Sequence, residues 1–319
     1  MVVSVHEGRP SLRVEDLTFA YAGGEHVLEG ENLEVEGAGL VTVLGPNGAG
    51  KTTTLRILTG LVHPTRGRAS IAGLDASRQR QALTRLVGYL PEEPAFYPWW
   101  TPQEFLDYLG RLHRLPAPTR ARRIRETLEQ VGLHKVARRR IGGFSRGMRQ
   151  RLGLAAALLH RPEVLLLDEP VSALDPLGRK EILELIGNLR GECTVLMSTH
   201  ILADVERICD TIGIIVQGRL LLQSPRAILL ERYAQPLFEM VSEEEALHRW
   251  AESLATQGWV REIHLQDDVL RVVVEDAAQA RHKLLASAVA QQVPLRRFEE
   301  VQPSLEEVFV RLVNGEIKP

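Results

Sequence analysis

The stretch Gly45-Pro46-Asn47-Gly48-Ala49-Gly50-Lys51-Thr52-Thr53 has the residue types and spacing to hold a polyphosphate. It satisfies G-x-x-x-x-G-K-[ST] and lies between a β-branched run, Leu40–Leu44, and a helical run that begins near Gly50. A strand, a Gly-rich turn and a helix N-terminus in that order aim backbone N–H groups and the helix dipole at bound phosphates. Lacking a Cβ, Gly45, Gly48 and Gly50 can let the main chain wrap closely around the ligand. Lys51 then reaches the β- and γ-phosphates, and the Thr52 hydroxyl ligates Mg²⁺. Chance yields the bare pattern in roughly 1% of chains this long, and the flanking strand and helix make it rarer still. Nucleotide binding is therefore the expectation.

The elements that must position this loop can be read around it. From Ser11 to Ala20 apolar and polar residues alternate, ending at the aromatics Phe19 and Tyr21, and Glu25 to Glu36 repeats the alternation. These predict an antiparallel β layer ahead of the phosphate-loop strand. Arg68–Ala72 and Val87–Leu90 are predicted as short strands, and Pro102–Arg114 and Thr119–Val131 as helices, so a helical insertion follows the β-rich start. Val164–Asp168 and Thr194–Ser198 are continuous apolar runs typical of strands buried on both faces, joined by a helix over Pro176–Leu189. Such a crossover beside a phosphate loop predicts an α/β nucleotide-binding core. Thr211–Val216 and Arg219–Gln223 form a closing hairpin about Gln217-Gly218. Beyond Ser224-Pro225, strands at Leu237–Val241, Val269–Val274 and Leu295–Val301 and helices at Glu243–Thr256, Ala277–Gln291 and Ser304–Val313 suggest a small ferredoxin-like α+β unit. In its last helix Ser304 and Glu307 stand at capping-box positions, with Leu305, Val308 and Phe309 on one apolar face. The expected domains are 1–235, with a helical subdomain over about 92–160, and 236–319.

Five further stretches follow the phosphate loop in a telling order. They are Tyr89-Leu90-Pro91-Glu92, Phe144-Ser145-Arg146-Gly147-Met148-Arg149-Gln150-Arg151, Leu165-Leu166-Leu167-Asp168-Glu169-Pro170, Ser172-Ala173-Leu174-Asp175 and Ser198-Thr199-His200. Together with the P-loop they make residues from Leu12 to Leu230 resemble an ABC-type ATPase. By that resemblance Asp168 holds Mg²⁺, Glu169 is the general base that polarises the attacking water, and His200 is the switch histidine at the γ-phosphate. Ser145, Arg146, Gly147 and Met148 match the signature motif, with Ser145 and Gly147 at the positions that face the opposing subunit's nucleotide; Arg146 and Met148 depart from the usual Gly and Gln. Asp175 closes the D-loop, and Glu92 replaces the usual Q-loop glutamine, keeping an oxygen ligand for Mg²⁺ while adding a charge. Tyr21 matches the aromatic that stacks on adenine, with Phe19 as the alternative. Phe96-Tyr97-Pro98-Trp99-Trp100 follows the Q-loop, where the family receives its permease; burial within the helical insertion is the rival reading.

The form of the signature and the tail Pro303–Phe309 resemble the bacterial multidrug and antibiotic export branch, which implies a separate membrane permease and a dimer of ATPase subunits, either two copies of this chain or this chain with a related one. Composition agrees. With 39 basic and 41 acidic residues the chain has no net basic charge to favour nucleic acid. Its two cysteines show no metal-ligand spacing and imply a reduced, cytosolic setting, peripheral to the inner face of the membrane through the permease. No apolar run approaches the ~18 residues of a span, and Met1–Arg13 lacks a signal-peptide core. A soluble ABC ATPase of translation or DNA repair is a competing reading, but such forms carry tandem cassettes or a long coiled-coil insertion. An ATP-gated scaffold is another, and the presence of Glu169 and His200 favours hydrolysis over it.

Overall fold

In the computed structural model, residues 12–21, 24, 26–37, 39–172, 174–233, 236–301 and 305–313 are described, without the side chains of Tyr233 and Glu307. Ser11, Glu25, Ala173, Pro303 and Ser304 lie outside the described residues, and with Ser304 and the Glu307 side chain goes the expected capping box. Two compact units divide the chain, one within Met1–Arg226 and one within Ala227–Lys318.

In the first unit the alternating segments become strands because one face of each is buried. Strands β1 (Leu12–Ala20) and β2 (His26–Val35) are followed by β3 (Leu40–Leu44), helix α1 (Lys51–Leu58), β4 (Arg66–Ile71) and β5 (Leu74–Asp75). An antiparallel sheet in the order β2-β1-β4-β5 lays Leu12, Val14, Leu17, Leu28 and Leu33 into one core with Leu55, Ile57 and Leu58 of α1. Its alternation is not regular. Before Leu17 the extra residue lies in β1, where Asp16 takes φ 47; after Leu17 it lies in β2, where Gly30 takes φ +67, and beyond that bulge Glu31 shares the buried face of Leu33 and Val35.

Next come α2 (Arg80–Leu86), β6 (Val87–Leu90), α3 (Pro102–Leu112), α4 (Ala117–Gln130), α5 (Arg146–Leu158), β7 (Val164–Asp168), α6 (Pro176–Asn188), β8 (Thr194–Thr199), α7 (Leu202–Ile208), β9 (Thr211–Val216) and β10 (Arg219–Pro225); α8 (Arg226–Tyr233) follows and, from Ala227 on, belongs to the second unit. The second sheet runs β10-β9-β3-β8-β7-β6, parallel except for the β9–β10 hairpin. Every residue of β3, β7 and β8 is buried, as apolar runs covered on both faces require. Helices α3 to α5 fill the insertion between β6 and β7. Thr101 and Glu104 cap α3 reciprocally, with Pro102 at its first turn. Pro118 falls inside the first turn of α4 instead of preceding it, where its missing N–H costs nothing. The aromatic run is divided: Phe96 and Trp100 pack on Phe105 and Tyr108 of α3, whereas Tyr97 and Trp99 stay 53% and 61% exposed.

The second unit contains β11 (Leu237–Val241), α9 (Glu244–Ala255), β12 (Val260–Gln266), β13 (Val269–Val274), α10 (Ala277–Ala290), β14 (Arg297–Val301) and α11 (Leu305–Val313). Its antiparallel sheet, β12-β13-β11-β14, has ferredoxin-like topology. β12 is an addition to the sequence reading. It is an edge strand whose half-buried Val260, Ile263 and Leu265 are separated by Arg261, Glu262 and His264, which hides the alternation. Trp250, Phe238 and Leu284 centre the core, and Trp250 Nε1 donates to Ser287 Oγ at 3.0 Å.

Gly88 lets β6 lie against α5, because a Cβ there would come within 2.3 Å of the Ala157 carbonyl oxygen. Gly88→Ala should therefore destabilise the first unit by about 1–3 kcal/mol. A thermal melt should show the loss as about 2–4 °C for each kcal/mol; an unchanged melting temperature would mean that the two elements separate freely.

Candidate nucleotide site

Where β3 ends, the chain enters the loop Gly45–Thr53 and leaves it as α1. Backbone contacts fix this turn: Gly45 N donates to Thr199 O at 3.3 Å, and Ala49 N to Pro46 O at 3.2 Å. Gly50 caps α1 at φ +108, and a Cβ there would strike Leu28 Cδ2 at 2.5 Å, so both conformation and space demand glycine. The β9–β10 turn locks the loop from outside. Gly218 N donates to Ala49 O at 3.0 Å, while Glu29 N donates to Gly218 O at 2.9 Å.

A cleft of ≈ 630 Å³ opens over this turn, lined by Tyr21, Val27, Asn47, Gly48, Ala49, Gly50, Lys51, Thr52, Thr53, Glu92, Glu169 and His200. The aromatic alternatives separate here, since Phe19 is buried in the core while Tyr21, 48% exposed, stands at the cleft with its ring edge-on to Phe19 at 4.7 Å. Gly45 and Pro46 contribute through their carbonyls, which accept from Lys51 Nζ at 2.8 and 3.2 Å. Lys51 also faces Glu169 Oε1 at 3.4 Å, and both side chains are almost wholly buried. His200 Nδ1 lies 2.9 Å from the same Oε1. Glu169 Oε2 is buried without a hydrogen-bond partner among the described residues, a free acceptor. The residue itself sits at φ 45, an uncommon conformation for a non-glycine and one that collects at functional sites.

Behind this cluster the ends of β7 and β8 meet. Thr52 Oγ1 and Ser198 Oγ both donate to Asp168 Oδ1, at 2.9 and 2.7 Å, and Glu169 N donates to Ser198 Oγ at 3.1 Å. Burial pushes the Asp168 carboxyl up, and the Ser198 and Thr52 bonds oppose that rise. Nearby, burial and then the Asp168 charge push the Tyr89 phenol up to about 12. The sequence places Ser198 at the end of a strand and ahead of His200; the role of its hydroxyl emerges only in the structure. A serine two residues before the histidine, at the end of an apolar strand, was the available signal.

Ser145, Arg146, Gly147, Met148 and Asp175 do not line this cleft. Ser145 caps α5 by accepting from Met148 N at 3.2 Å, Arg146 pairs with Glu93 at 3.6 Å, and Asp175 is the N-cap residue of α6. Thr52, Asp168 and Glu92 offer only hydroxyl and carboxylate oxygens, the donor type Mg²⁺ takes. No group of three or more His, Cys, Asp or Glu among the described residues is placed to hold a metal.

A glycine-rich turn between a parallel strand and a helix, with a buried lysine and a carboxylate-ended neighbouring strand, defines a P-loop NTPase. Comparison with known proteins narrows the class. Residues 28–172 match the protein family described as "ABC transporter", and 229–313 match "ATP-binding protein DrrA1-3-like, C-terminal domain". The ABC transporter ATP-binding protein YxlF of Bacillus subtilis is 40% identical over 304 residues, covering 95% of this chain and 100% of the relative. The bacitracin transport ATP-binding protein BcrA of Bacillus licheniformis is 36% identical over 95% of this chain and 97% of its own length. Linearmycin resistance ATP-binding protein LnrL of B. subtilis is 30% identical over 96% and 99%. Among solved structures, an ATP-binding subunit of an ABC transporter superposes with TM-score 0.64 at 32% identity, covering 70% of this chain and 92% of its own. A dimeric post-hydrolysis ATP-binding cassette, MJ0796 bound to ADP and Pi, superposes with TM-score 0.61 at 26% identity over 67% and 98%. The chain belongs to the ABC transporter ATP-binding family and is an ATPase.

Ser198 donates to Asp168 and accepts from the Glu169 backbone, so Ser198→Ala should lower ATP turnover about 10–100-fold, the usual cost of losing a partner that orients a site ligand. ATP affinity should change much less. Steady-state kinetics separates the two, and an unchanged turnover would show that the hydroxyl does not order the site.

Proposed function

We propose that this chain is the ATPase subunit of an ABC exporter that drives a separate membrane permease through ATP-dependent dimerisation. The observation that carries the chemistry is the cluster of Lys51, Glu169 and His200 at one end of the cleft, with Glu169 Oε2 free to accept a proton. Tyr21 offers a face for adenine, and the N–H groups of Asn47–Thr53 meet the phosphates. Lys51 exchanges its Gly45 and Pro46 carbonyl partners for β- and γ-phosphate oxygens. Glu169 takes the proton of the attacking water, and His200, held on Oε1, turns its ring toward the γ-phosphate. Thr52 and Asp168, with Glu92 of the cleft lining, are the residues that would hold Mg²⁺. The ion, when bound, neutralises charge developing on the transferred phosphoryl group.

Ser145, Arg146, Gly147, Met148 and Asp175 lie outside the cleft, which supports their acting on the nucleotide of a second ATPase subunit, a copy of this chain or a related one. Two relatives carry export-type descriptions, bacitracin transport and linearmycin resistance, which supports the exporter reading. No helix among the described residues is long and apolar enough to cross a membrane, so the span falls to another chain and this one works at its cytoplasmic face. The exposed Tyr97 and Trp99 are the anchors for that partner.

Glu169→Gln should bind ATP and turn it over at least about 100-fold more slowly, since an amide cannot take the proton. The protein should then sediment as a dimer with ATP; parental turnover would assign the base elsewhere. Lys51→Ala should weaken ATP binding about 10–100-fold by removing a charge-assisted contact. Equilibrium titration measures this, and parental affinity would remove Lys51 from the site.

A further inference from the structure

Beneath the phosphate loop lies a carboxyl that the reaction does not use. The Gly30 bulge turns Glu31 into the core between the antiparallel sheet and α1, where it is 0% exposed. Its Oε2 accepts from Thr54 Oγ1 at 2.6 Å, and its Oε1 has no hydrogen-bond partner among the described residues. Thr54 is itself 1% exposed, and its single hydroxyl proton is shared between Glu31 and the Gly50 carbonyl, 3.3 Å away. Gly50 is the cap of α1 and part of the cleft wall. One hydroxyl therefore joins Glu31 to the residue that sets the phosphate loop.

Among the described residues, the carboxylates and the lysine and arginine side chains flanking Glu31 are engaged elsewhere. On β1, Glu15 and Asp16 pair with Arg68 and Arg66; on β2, Glu29 and Glu34 pair with Arg219 of β10 and with Arg13. On α1, Lys51 faces Glu169, and Arg56 interacts with the phenols of Tyr21 and Tyr89. Burial raises the Glu31 carboxyl, and the Thr54 bond opposes that rise. A carboxylate in that position is an uncompensated buried charge with one oxygen unsatisfied, an expensive arrangement that protonation relieves.

We propose that Glu31 is a positioning residue of the nucleotide site, bracing Gly50 through Thr54, and that it takes up a proton from solvent when a polyphosphate binds. A bound nucleotide brings negative charge to the head of the helix whose first turn carries Thr54. Like charges disfavour each other, so occupancy strengthens the hold of Glu31 on its proton. By reciprocity, ionising Glu31 weakens nucleotide binding by the same factor. Burial already pushes this carboxyl up to about 7, which puts the coupling in the neutral range. The sign follows: affinity is highest below that value and falls as pH rises through it.

Calorimetric titration of the full chain with Mg-ADP, run in buffers of different ionisation enthalpy, reads the proton directly. Binding near pH 7 should show net proton uptake, and affinity should fall about fivefold between pH ~6 and ~8.5, the low end of ordinary coupling between sites. Glu31→Gln keeps the shape and the Thr54 acceptor but cannot ionise. It should bind with the parent's low-pH affinity, lose the uptake and flatten the profile. A purely structural role would move neither readout. An identical proton uptake in the variant would overturn the proposal without touching the assignment of the cleft, which binding itself confirms. Should the variant not fold, carboxyl-carbon NMR titration of the unaltered protein decides. The Glu31 midpoint should rise on adding Mg-ADP, and an unmoved midpoint overturns the linkage.

Discussion

A lysine ammonium almost wholly withdrawn from solvent needs anionic or carbonyl company on every side, and the architecture around Lys51 supplies it. The loop carbonyls of Gly45 and Pro46 come from the end of β3, and Glu169 from the end of β7. His200 is added from beyond β8. Three strands must therefore stop at the same level, which a parallel register such as Leu44↔Thr199 and Asp168↔Ser198 enforces. The complete burial of β3, β7 and β8 is the structural counterpart of that demand: only strands covered on both faces hold their ends so firmly.

Much of this was legible in the sequence, for physical reasons. Apolar runs such as Val164–Leu167 announce two-sided burial, and the phosphate loop announces itself through glycines that no other residue can replace. What the sequence hid depended on departures from regular period. β12 sits at a sheet edge where four of its seven side chains, Arg261, Glu262, His264 and Gln266, are polar or charged, so its pattern resembles a loop. Counted from Leu28, Glu31 looks like a solvent-facing residue; the bulge at Gly30 shifts the phase so that it joins Leu33 and Val35 on the buried face. The short helices α2 and α7 carry too few turns to announce a period. The Ser198 hydroxyl was visible as a residue but not as a bridge, because the partnership with Asp168 and Glu169 exists only once β7 and β8 are side by side.

The two units illustrate different ways of carrying charge. In the first, buried carboxyls such as Asp168 and Glu169 are placed against hydroxyls, a lysine and a histidine, leaving acceptor capacity for a reactant. In the second, the largely buried Glu239 of β11 is held between Arg271 of β13 and Arg297 of β14, and both its oxygens are engaged. A fully engaged carboxylate pins strand register, whereas a partly engaged one keeps chemistry available.

The pairing of β3 has a consequence for how the chain is made. Leu40 lies opposite Val195 and Val41 opposite Thr211, so neither neighbour exists when the β3 strand leaves the ribosome. At about 5–20 residues per second, a largely apolar strand and its glycine-rich turn wait on the order of ten seconds for their partners. The antiparallel segments β1, β2 and β4, by contrast, are complete by Ile71 and can close over α1 at once. Nascent chains are thus exposed to self-association through one central strand during a defined interval of synthesis, and slow codons between β3 and β8 would lengthen it.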